Sequence, residues 1–198
     1  LLPGVCVAKN TPLRLRYILK KELLWDPCLD LVGNYLPNYF VDRNGDANRE
    51  GRNITRLSSS LGPNDAVLIY PEGTRFSEGK RQRLIDRWTQ SSDSRATMAV
   101  EWTHVLPPKT KGVWAIRQGC PEADVVFCAH AGLERVTNIR TLLAAATHGI
   151  TVHVFFWRVA HTDVPQEEHA QQDWLFQQWA LMNQEVARLK NTNGTRPL

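Results

Sequence analysis

The chain has 198 residues, of which 42% are hydrophobic and 22% charged, a composition typical of a globular domain with a sizeable core. No apolar run approaches the ~18 residues of a transmembrane helix, and the four cysteines lack the C-x-x-C spacing of a metal or redox motif. The net charge of +4 favours anionic partners, and no groove-reading or base-stacking motif accompanies it, so nucleic acid is not expected. We interpret the cysteines as small buried residues of a protein in a reducing compartment.

Strand and helix patterns alternate along the chain. Alternating apolar and basic residues predict a strand at residues 13–19, and a more helical stretch follows towards Gly33. Short apolar runs predict further strands, and longer periodic stretches predict helices. The strands expected after residue 20 span residues 39–42, 66–70, 125–129 and 150–159, and the helices span residues 49–61, 80–88, 113–118 and 165–190.

This order predicts one α/β domain over residues 1–198, with a largely parallel or mixed central sheet flanked by helices. In the last predicted helix, apolar residues recur at steps of four and three and predict one buried stripe. The stripe consists of Leu175, Trp179, Met182, Val186 and Leu189. Trp174 lies off this stripe, where contact with a membrane is an alternative to core packing.

Two of the predicted strands end close to an acidic residue and an arginine. Residues 39–43 read Tyr-Phe-Val-Asp-Arg, and residues 66–70 are followed by Pro-Glu-Gly-Thr-Arg at 71–75. Pro71 ends strand pairing, and Gly73 permits a tight turn or a close approach to a ligand. Parallel strands would bring Arg43 and Arg75 to one sheet edge, where planar guanidinium groups suit capture of a phosphate or carboxylate. A polar turn after a core strand is the alternative interpretation.

Basic residues are concentrated between residues 75 and 95. They are Arg75, Lys80, Arg81, Arg83, Arg87 and Arg95. Such a run is either a solvated helix face or a surface for anionic lipid head groups or a phosphorylated substrate. A phosphate loop at Gly73–Lys80 is rejected, because five residues rather than four separate the glycines and Arg81 replaces the required hydroxyl residue. The six histidines offer no metal-binding pattern.

The strand-end blocks resemble a known family. Residues 40–43 and 71–75 resemble the second and third blocks of the PlsC-type glycerolipid acyltransferases, which include the 1-acylglycerol-3-phosphate acyltransferases. Lys-Lys-Glu-Leu at residues 20–23 is also similar to that family. Residues 106–112 (Leu-Pro-Pro-Lys-Thr-Lys-Gly), and residues 163–165 leading to Trp174, resemble the branch that contains lysocardiolipin acyltransferases.

The resemblance implies transfer of a fatty acyl group from acyl-CoA or acyl carrier protein to a hydroxyl of a lysophospholipid, in phospholipid biosynthesis or remodelling. It implies no metal or cofactor, and a membrane-associated protein whose active site faces the cytoplasm. The residues that it assigns to the acceptor and its phosphate are Lys20, Phe40, Arg43, Glu72, Gly73, Thr74 and Arg75.

The chain departs from the family in its first block, where members carry a histidine and an aspartate with four residues between them. No aspartate lies five positions beyond any of the six histidines. Because the chain begins with Leu1, we expect this block, the first strand and the N-terminal helices to lie upstream, and the chain alone to be inactive. A non-catalytic phospholipid- or phosphate-binding domain is the alternative, and a nucleotide-using α/β enzyme is a third hypothesis.

Overall fold

The computed structural model of the protein describes residues 2–22, 38–42, 44–91, 95–133 and 151–194. Its backbone divides into two compact units. The first unit comprises Leu1–Thr74, Pro108–Asp124 and Ala160–Gln172, and the second comprises Arg75–Pro107, Val125–Val159 and Asp173–Leu198. The assignment of residues 1–198 to a single domain, which was made from the sequence, stays a prediction.

The described residues form six helices and five strands, which confirms the α/β prediction. In chain order they are α1 (Leu2–Asn10), β1 (Arg14–Lys20), β2 (Tyr39–Val41), α2 (Ala47–Ser59), β3 (Asp65–Leu68), α3 (Glu78–Gln90), α4 (Arg95–Val100), α5 (Thr110–Gly119), β4 (Val125–Ala131), β5 (His153–Val159) and α6 (Glu168–Gly194). A short 3-10 helix occupies His161–Asp163. The strands form two separate sheets rather than one central sheet.

The sheet of the first unit has the strand order β2–β1–β3, and all pairs are parallel. Lys20 pairs with Val41, so β1 and β2 end side by side, and β3 runs in the same direction on the other side of β1. Ile18 of β1 packs with Ile54 of α2 and Ala115 of α5 as the core of this unit. The carboxyl ends of three parallel strands therefore share one edge of this sheet.

The basic residues of β1 hold the sheet in register. Arg14 Nε lies 2.9 Å from Asp65 Oδ1, and Arg16 Nη2 lies 2.7 Å from Asp65 Oδ2. The backbone N–H of Gly62 also donates to Asp65 Oδ2 at 3.0 Å, and this hydrogen bond, together with the two arginines, lowers the pKa of the Asp65 carboxyl. The alternation that predicted β1 thus places charged side chains where they pair with the first residue of β3.

Helix α2 begins two residues earlier than the sequence predicts. Asp46 is its N-cap, and the Asp46 side chain accepts a hydrogen bond from the backbone N–H of Asn48 at 2.9 Å. A capping carboxylate satisfies one of the N–H groups that a helix leaves unpaired in its first turn. The turn at residues 44–46 that the sequence predicts therefore also starts the helix.

Helices α2 and α5 are in close backbone contact at Gly119. A Cβ atom at this position would overlap the carbonyl oxygen of Thr55, and it would lie 2.7 Å from Ser58 Cβ and 2.9 Å from the backbone nitrogen of Ser59. Thr55 Oγ1 donates to the carbonyl oxygen of Ala115 at 3.0 Å across the same contact. The two helices can therefore pack only with a glycine here.

We expect Gly119→Ala to lower the free energy of unfolding by about 1–3 kcal/mol, because the added methyl group forces two backbones apart. Gly51→Ala is the matched control, since Gly51 lies inside α2 and a Cβ there would meet no atom within 4 Å. That control should raise the free energy of unfolding by about 0.5–1 kcal/mol. Urea denaturation measures both, and equal effects of the two variants would contradict the close contact.

The second unit is built on aromatic side chains. Strands β4 and β5 pair antiparallel, from Val125 opposite Val159 to Ala131 opposite His153. The ring of Phe127 on β4 lies 5.0 Å from that of Trp157, 5.7 Å from that of Trp174 and 6.3 Å from that of Trp179. Such offset and tilted ring pairs stabilise a core beyond the area that they bury.

The apolar stripe predicted for the last helix is confirmed. The five residues of the stripe are buried in α6, with exposed fractions between 2% and 8%. Trp174 is also buried, at 8% exposed, and its ring packs against Phe127. The membrane-contact interpretation of Trp174 is therefore wrong, because a strand that the helical pattern cannot reveal covers the off-stripe side of α6.

Other boundaries and burial classes differ from the sequence predictions. Helix α4 was not expected, and helix α5 begins at Thr110, three residues before the predicted start. Most of the helical stretch predicted towards Gly33 lies outside the described residues, as does Cys28. Three free cysteines of the described chain are half-buried rather than fully buried, namely Cys6, Cys120 and Cys128.

His104 lies beside a lysine within the second unit. Its Nδ1 atom lies 3.2 Å from Lys190 Nζ, and its backbone N–H donates to Asn183 Oδ1 at 2.9 Å. Burial, and then the charge of Lys190, lower the pKa of His104. As the pH falls below about 6.5, His104 binds a proton in the unfolded chain but not in the folded chain. We therefore expect the free energy of unfolding to fall.

We therefore expect the free energy of unfolding to be lower at pH 5.5 than at pH 7.5, and His104→Gln to reduce this difference. Urea denaturation at the two pH values measures the effect. Lys190→Met should also reduce the difference, because it removes the neighbouring positive charge. An undiminished pH dependence in His104→Gln would contradict the assignment.

Candidate functional site

The carboxyl edge of the parallel sheet carries charged residues from two strands. Lys20 is the last residue of β1 and is half-buried. Lys21 follows it, and Lys21 Nζ lies 3.3 Å from Asp42 Oδ2, just past the end of β2. The backbone N–H of Asn44, and then Lys21, lower the pKa of Asp42. The edge thus combines ammonium groups with an ionised carboxylate.

The loop after β3 is held at this edge by its backbone. The N–H of Gly73 donates to the carbonyl oxygen of Tyr70 at 2.9 Å, and the N–H of Lys109 donates to that of Pro71 at 2.9 Å. Gly73 has a φ of 66°, a left-handed conformation that strains residues with a side chain. The loop is therefore fixed between the end of β3 and the start of α5, with a glycine where the turn requires one.

Tyr39 and Glu50 position β2, a role that the sequence patterns did not identify. The Tyr39 hydroxyl donates to Glu50 Oε2 at 2.7 Å, and the same oxygen accepts from the backbone N–H of Asp42 at 3.2 Å. Asn53 Nδ2 donates to the Tyr39 hydroxyl at 3.0 Å. Burial and the hydrogen bond to Glu50 raise the pKa of Tyr39. The Glu50 carboxylate of α2 therefore holds the segment that contains Phe40.

The structure brings five of the seven predicted acceptor residues into the first unit. Lys20 and Phe40 belong to the parallel sheet, and the other three form the loop after β3, namely Glu72, Gly73 and Thr74. Phe40 pairs with Leu19 in the sheet, and Glu72 and Thr74 are half-buried. Arg75 follows Thr74 in the chain, is exposed and begins the second unit. Arg43 lies outside the described residues, so the convergence of the two arginines stays a prediction.

The comparison with protein families decides the class of this chain. The family model described as Acyltransferase matches residues 1–111, more than half of the chain and both strand-end blocks. The chain belongs to the acyltransferase family. No curated protein and no solved structure matches it.

The basic cluster of this acyltransferase is only partly a solvated helix face. Arg81 is 9% exposed, its Nε donates to the carbonyl oxygen of Trp102 at 2.5 Å, and its Nη2 donates to that of Val100. Arg95 lies over the Trp88 ring, 5.2 Å from its centroid. Arg81 therefore binds the carbonyl groups at the end of α4, and it is not available to a lipid head group. The exposed members are Arg75, Arg83 and Arg87.

A histidine–aspartate pair is present in the acyltransferase, although the four-residue spacing of the first block is not. Asp124 Oδ1 lies 3.2 Å from His161 Nδ1 and accepts from the His161 backbone N–H at 2.8 Å. The two residues are 37 positions apart, so no search for a short motif finds them. Asp124 follows the carboxyl end of α5, whereas the Pro71 loop contacts Lys109 just before the start of that helix, which is about 15 Å long. The pair and the Pro71 loop therefore lie at opposite ends of α5.

Two further properties bear on the site. Among the residues that the structure describes, no three His, Cys, Asp or Glu side chains form a group that could hold a metal ion. Within the same residues, no helix is both long enough and apolar enough to cross a membrane.

Proposed function

We propose that this acyltransferase moves a fatty acyl group from acyl-CoA or acyl carrier protein to a hydroxyl of a lysophospholipid resembling 1-acylglycerol-3-phosphate. It acts at a membrane surface in phospholipid biosynthesis or remodelling, in the branch of the lysocardiolipin acyltransferases. The observation that supports this most is the Pro71–Thr74 loop, which follows β3, is tied by a backbone hydrogen bond to Lys109 before α5, and belongs to the same parallel sheet edge as the end of β1 at Lys20. This edge presents cationic and hydroxyl groups suited to a phosphorylated acceptor.

In this proposal, Arg43 and Arg75 bind the phosphate of the acceptor, and each charge-assisted contact contributes about 1.5–3 kcal/mol. Lys20 adds positive charge, and the Thr74 hydroxyl donates a hydrogen bond. Gly73 lets the backbone approach the acceptor, because no side chain stands between them. Glu72 orients an arginine or accepts a hydrogen bond from a glycerol hydroxyl.

In the reaction, the acceptor hydroxyl oxygen attacks the thioester carbonyl carbon, the new ester forms, and the thiol leaves with the proton of the hydroxyl. The family resemblance assigns proton removal to the histidine of the first block. The histidine–aspartate spacing of that block does not occur in these 198 residues. The residues at the described sheet edge bind and orient the acceptor.

The experiment that tests this is an acyl-transfer assay of the full-length protein with a panel of lysophospholipids and, as the control, 1-acylglycerol without phosphate. We expect kcat/KM for the best phosphorylated acceptor to exceed that for 1-acylglycerol at least tenfold, about 1.4 kcal/mol. Equal use of the two would contradict phosphate recognition. Binding of anionic vesicles without transfer to any acceptor would instead favour the non-catalytic phospholipid-binding domain.

A further inference from the structure

The first unit contains a cavity of about 400 Å³ between α2 and α5 that none of the strand-end blocks enters. Its walls come from the first two-thirds of α2, from most of α5 and from the start of α6. The lining residues are Ala47, Asn48, Gly51, Arg52, Thr55, Lys111, Trp114, Ala115, Gln118 and Glu168. We call this cavity the α2–α5 groove.

The lining of the α2–α5 groove includes several small residues. Ala47, Gly51 and Thr55 recur every four positions and so lie on one face of α2, and Ala115 lies opposite them. A Cβ atom at Gly51 would meet nothing within 4 Å, so the missing side chain leaves space at this point. A glycine inside a helix costs about 0.5–1 kcal/mol relative to alanine. The groove is therefore kept open at the expense of helix stability.

The walls of the groove carry cations, an indole ring and carboxamides. Arg52 and Lys111 are exposed, and no hydrogen bond or ion pair engages either side chain within the described chain. Trp114 is half-buried, while Asn48 and Gln118 are exposed. Two cations face the groove against the carboxylate of Glu168, which accepts a hydrogen bond from Gln172 Nε2 at 3.4 Å.

This combination of groups suits a ligand with a planar heterocycle attached to phosphate. An indole face stacks on a flat ring, and a guanidinium and an ammonium bind phosphate oxygens. Carboxamides carry both donors and acceptors, which match the edge of a heterocyclic base. A nucleotide has all of these features, and an acyl chain has none of them.

The groove starts beside the carboxyl edge of the parallel sheet. Asp46, which caps α2, lies four positions after Asp42, and the N–H of Lys109, which precedes α5, donates to the Pro71 carbonyl oxygen. The end lined by Ala47 and Lys111 therefore lies next to the candidate acceptor edge. From there the groove follows α2 for about 12 Å, at 1.5 Å per residue.

We propose that the α2–α5 groove binds the nucleotide end of the acyl donor, so that the donor is a nucleotide thioester of the coenzyme A type rather than an acyl carrier protein. The identity of the ligand as an acyl donor rests on the proposed function, whereas nucleotide binding itself does not. The remainder of the donor extends from the Ala47 end of the groove towards the acceptor edge.

Gly51→Phe places a phenyl ring at the groove, and the Cβ atom of the new side chain would meet no protein atom within 4 Å. Gly79→Phe is the matched control, since Gly79 lies in α3, outside the groove, and a Cβ there also meets nothing within 4 Å. Thermal melts of both variants confirm folding. Isothermal titration calorimetry of the full-length protein then measures binding of coenzyme A, adenosine 3′,5′-bisphosphate, ATP and 4′-phosphopantetheine.

We expect coenzyme A and adenosine 3′,5′-bisphosphate to bind the native protein with similar affinity, and 4′-phosphopantetheine to bind at least tenfold more weakly. Gly51→Phe should weaken both nucleotides at least tenfold, and Gly79→Phe should leave them unchanged. Absence of nucleotide binding, or binding that Gly51→Phe does not affect, would overturn the proposal. Equal binding of ATP would overturn the donor assignment and favour a nucleotide-using enzyme.

Acyl-transfer assays of the same variants distinguish a failure of this inference from a failure of the proposed function. Nucleotide binding that depends on Gly51, without transfer to any acceptor, would refute the proposed function and leave the groove as a nucleotide site. Transfer that proceeds equally well from acyl carrier protein and is unaffected by Gly51→Phe would refute the assignment of the groove and support the proposed function. Transfer from acyl-CoA that Gly51→Phe lowers at least tenfold would support both.

Discussion

Arg75→Ala is expected to lower kcat/KM of the full-length acyltransferase for a lysophospholipid acceptor at least tenfold, a loss of about 1.4 kcal/mol of transition-state binding. Arg75 is exposed and directly follows the Glu72–Thr74 loop, whose backbone is held against α5. In the proposed acceptor site the guanidinium makes a charge-assisted contact to phosphate, and removal of this exposed side chain disturbs no core. Steady-state kinetics with a varied acceptor concentration measure the loss.

Two controls make this result specific. Arg75→Lys should also lower kcat/KM, because an ammonium does not reproduce the planar two-donor fork of a guanidinium. Arg87→Ala removes another exposed arginine, from α3, and should change kcat/KM less than twofold. Unchanged kinetics in Arg75→Ala would remove Arg75 from the acceptor site.

Phe176→Ala is expected to lower the free energy of unfolding by about 3–5 kcal/mol, the usual cost of deleting a buried phenyl ring. Phe176 is 2% exposed, and its ring centroid lies 5.5 Å from that of Trp102 and 6.1 Å from that of Trp88. These large rigid neighbours cannot collapse into the space that the substitution leaves. Urea denaturation at 25 °C, followed by circular dichroism, measures the change.

Phe156→Ala provides the matched comparison, because Phe156 of β5 is 39% exposed. Its removal should lower the free energy of unfolding by about 1–2 kcal/mol, clearly less than for Phe176, because a large part of the Phe156 ring is already in water. A loss in Phe176→Ala no larger than that in Phe156→Ala would show that the aromatic core does not stabilise the second unit.

Local patterns predicted the elements whose causes lie within a few residues. The four-and-three spacing in α6 identified five buried residues correctly, since one face of a helix meets one surface. The same pattern failed for Trp174, because Phe127 comes from a strand 47 positions earlier. Likewise, Arg81 looked like part of a charged helix face, yet it binds carbonyl groups at Val100 and Trp102.

For the candidate site, the two strand-end blocks were sufficient to predict the acyltransferase family, which the family match confirms. They also predicted a turn that needs Gly73, and its left-handed φ agrees with that. The hydrogen bonds of Glu50 to Tyr39 and Asp42, and the pairing of His161 with Asp124, could not be predicted in this way. Each joins residues that only the folded chain brings together.

The sequence by itself determined the α/β class, the family and the residues that form the strand-end blocks, because strand periodicity, turn chemistry and motif spacing are local properties. Only the tertiary structure decided that α2 and α5 pack through Gly119 and leave a groove at Gly51. The local sequences around Gly51 and Gly119 give no indication that the two glycines have different surroundings. One faces a neighbouring backbone and the other faces open space, and that difference arises from long-range packing.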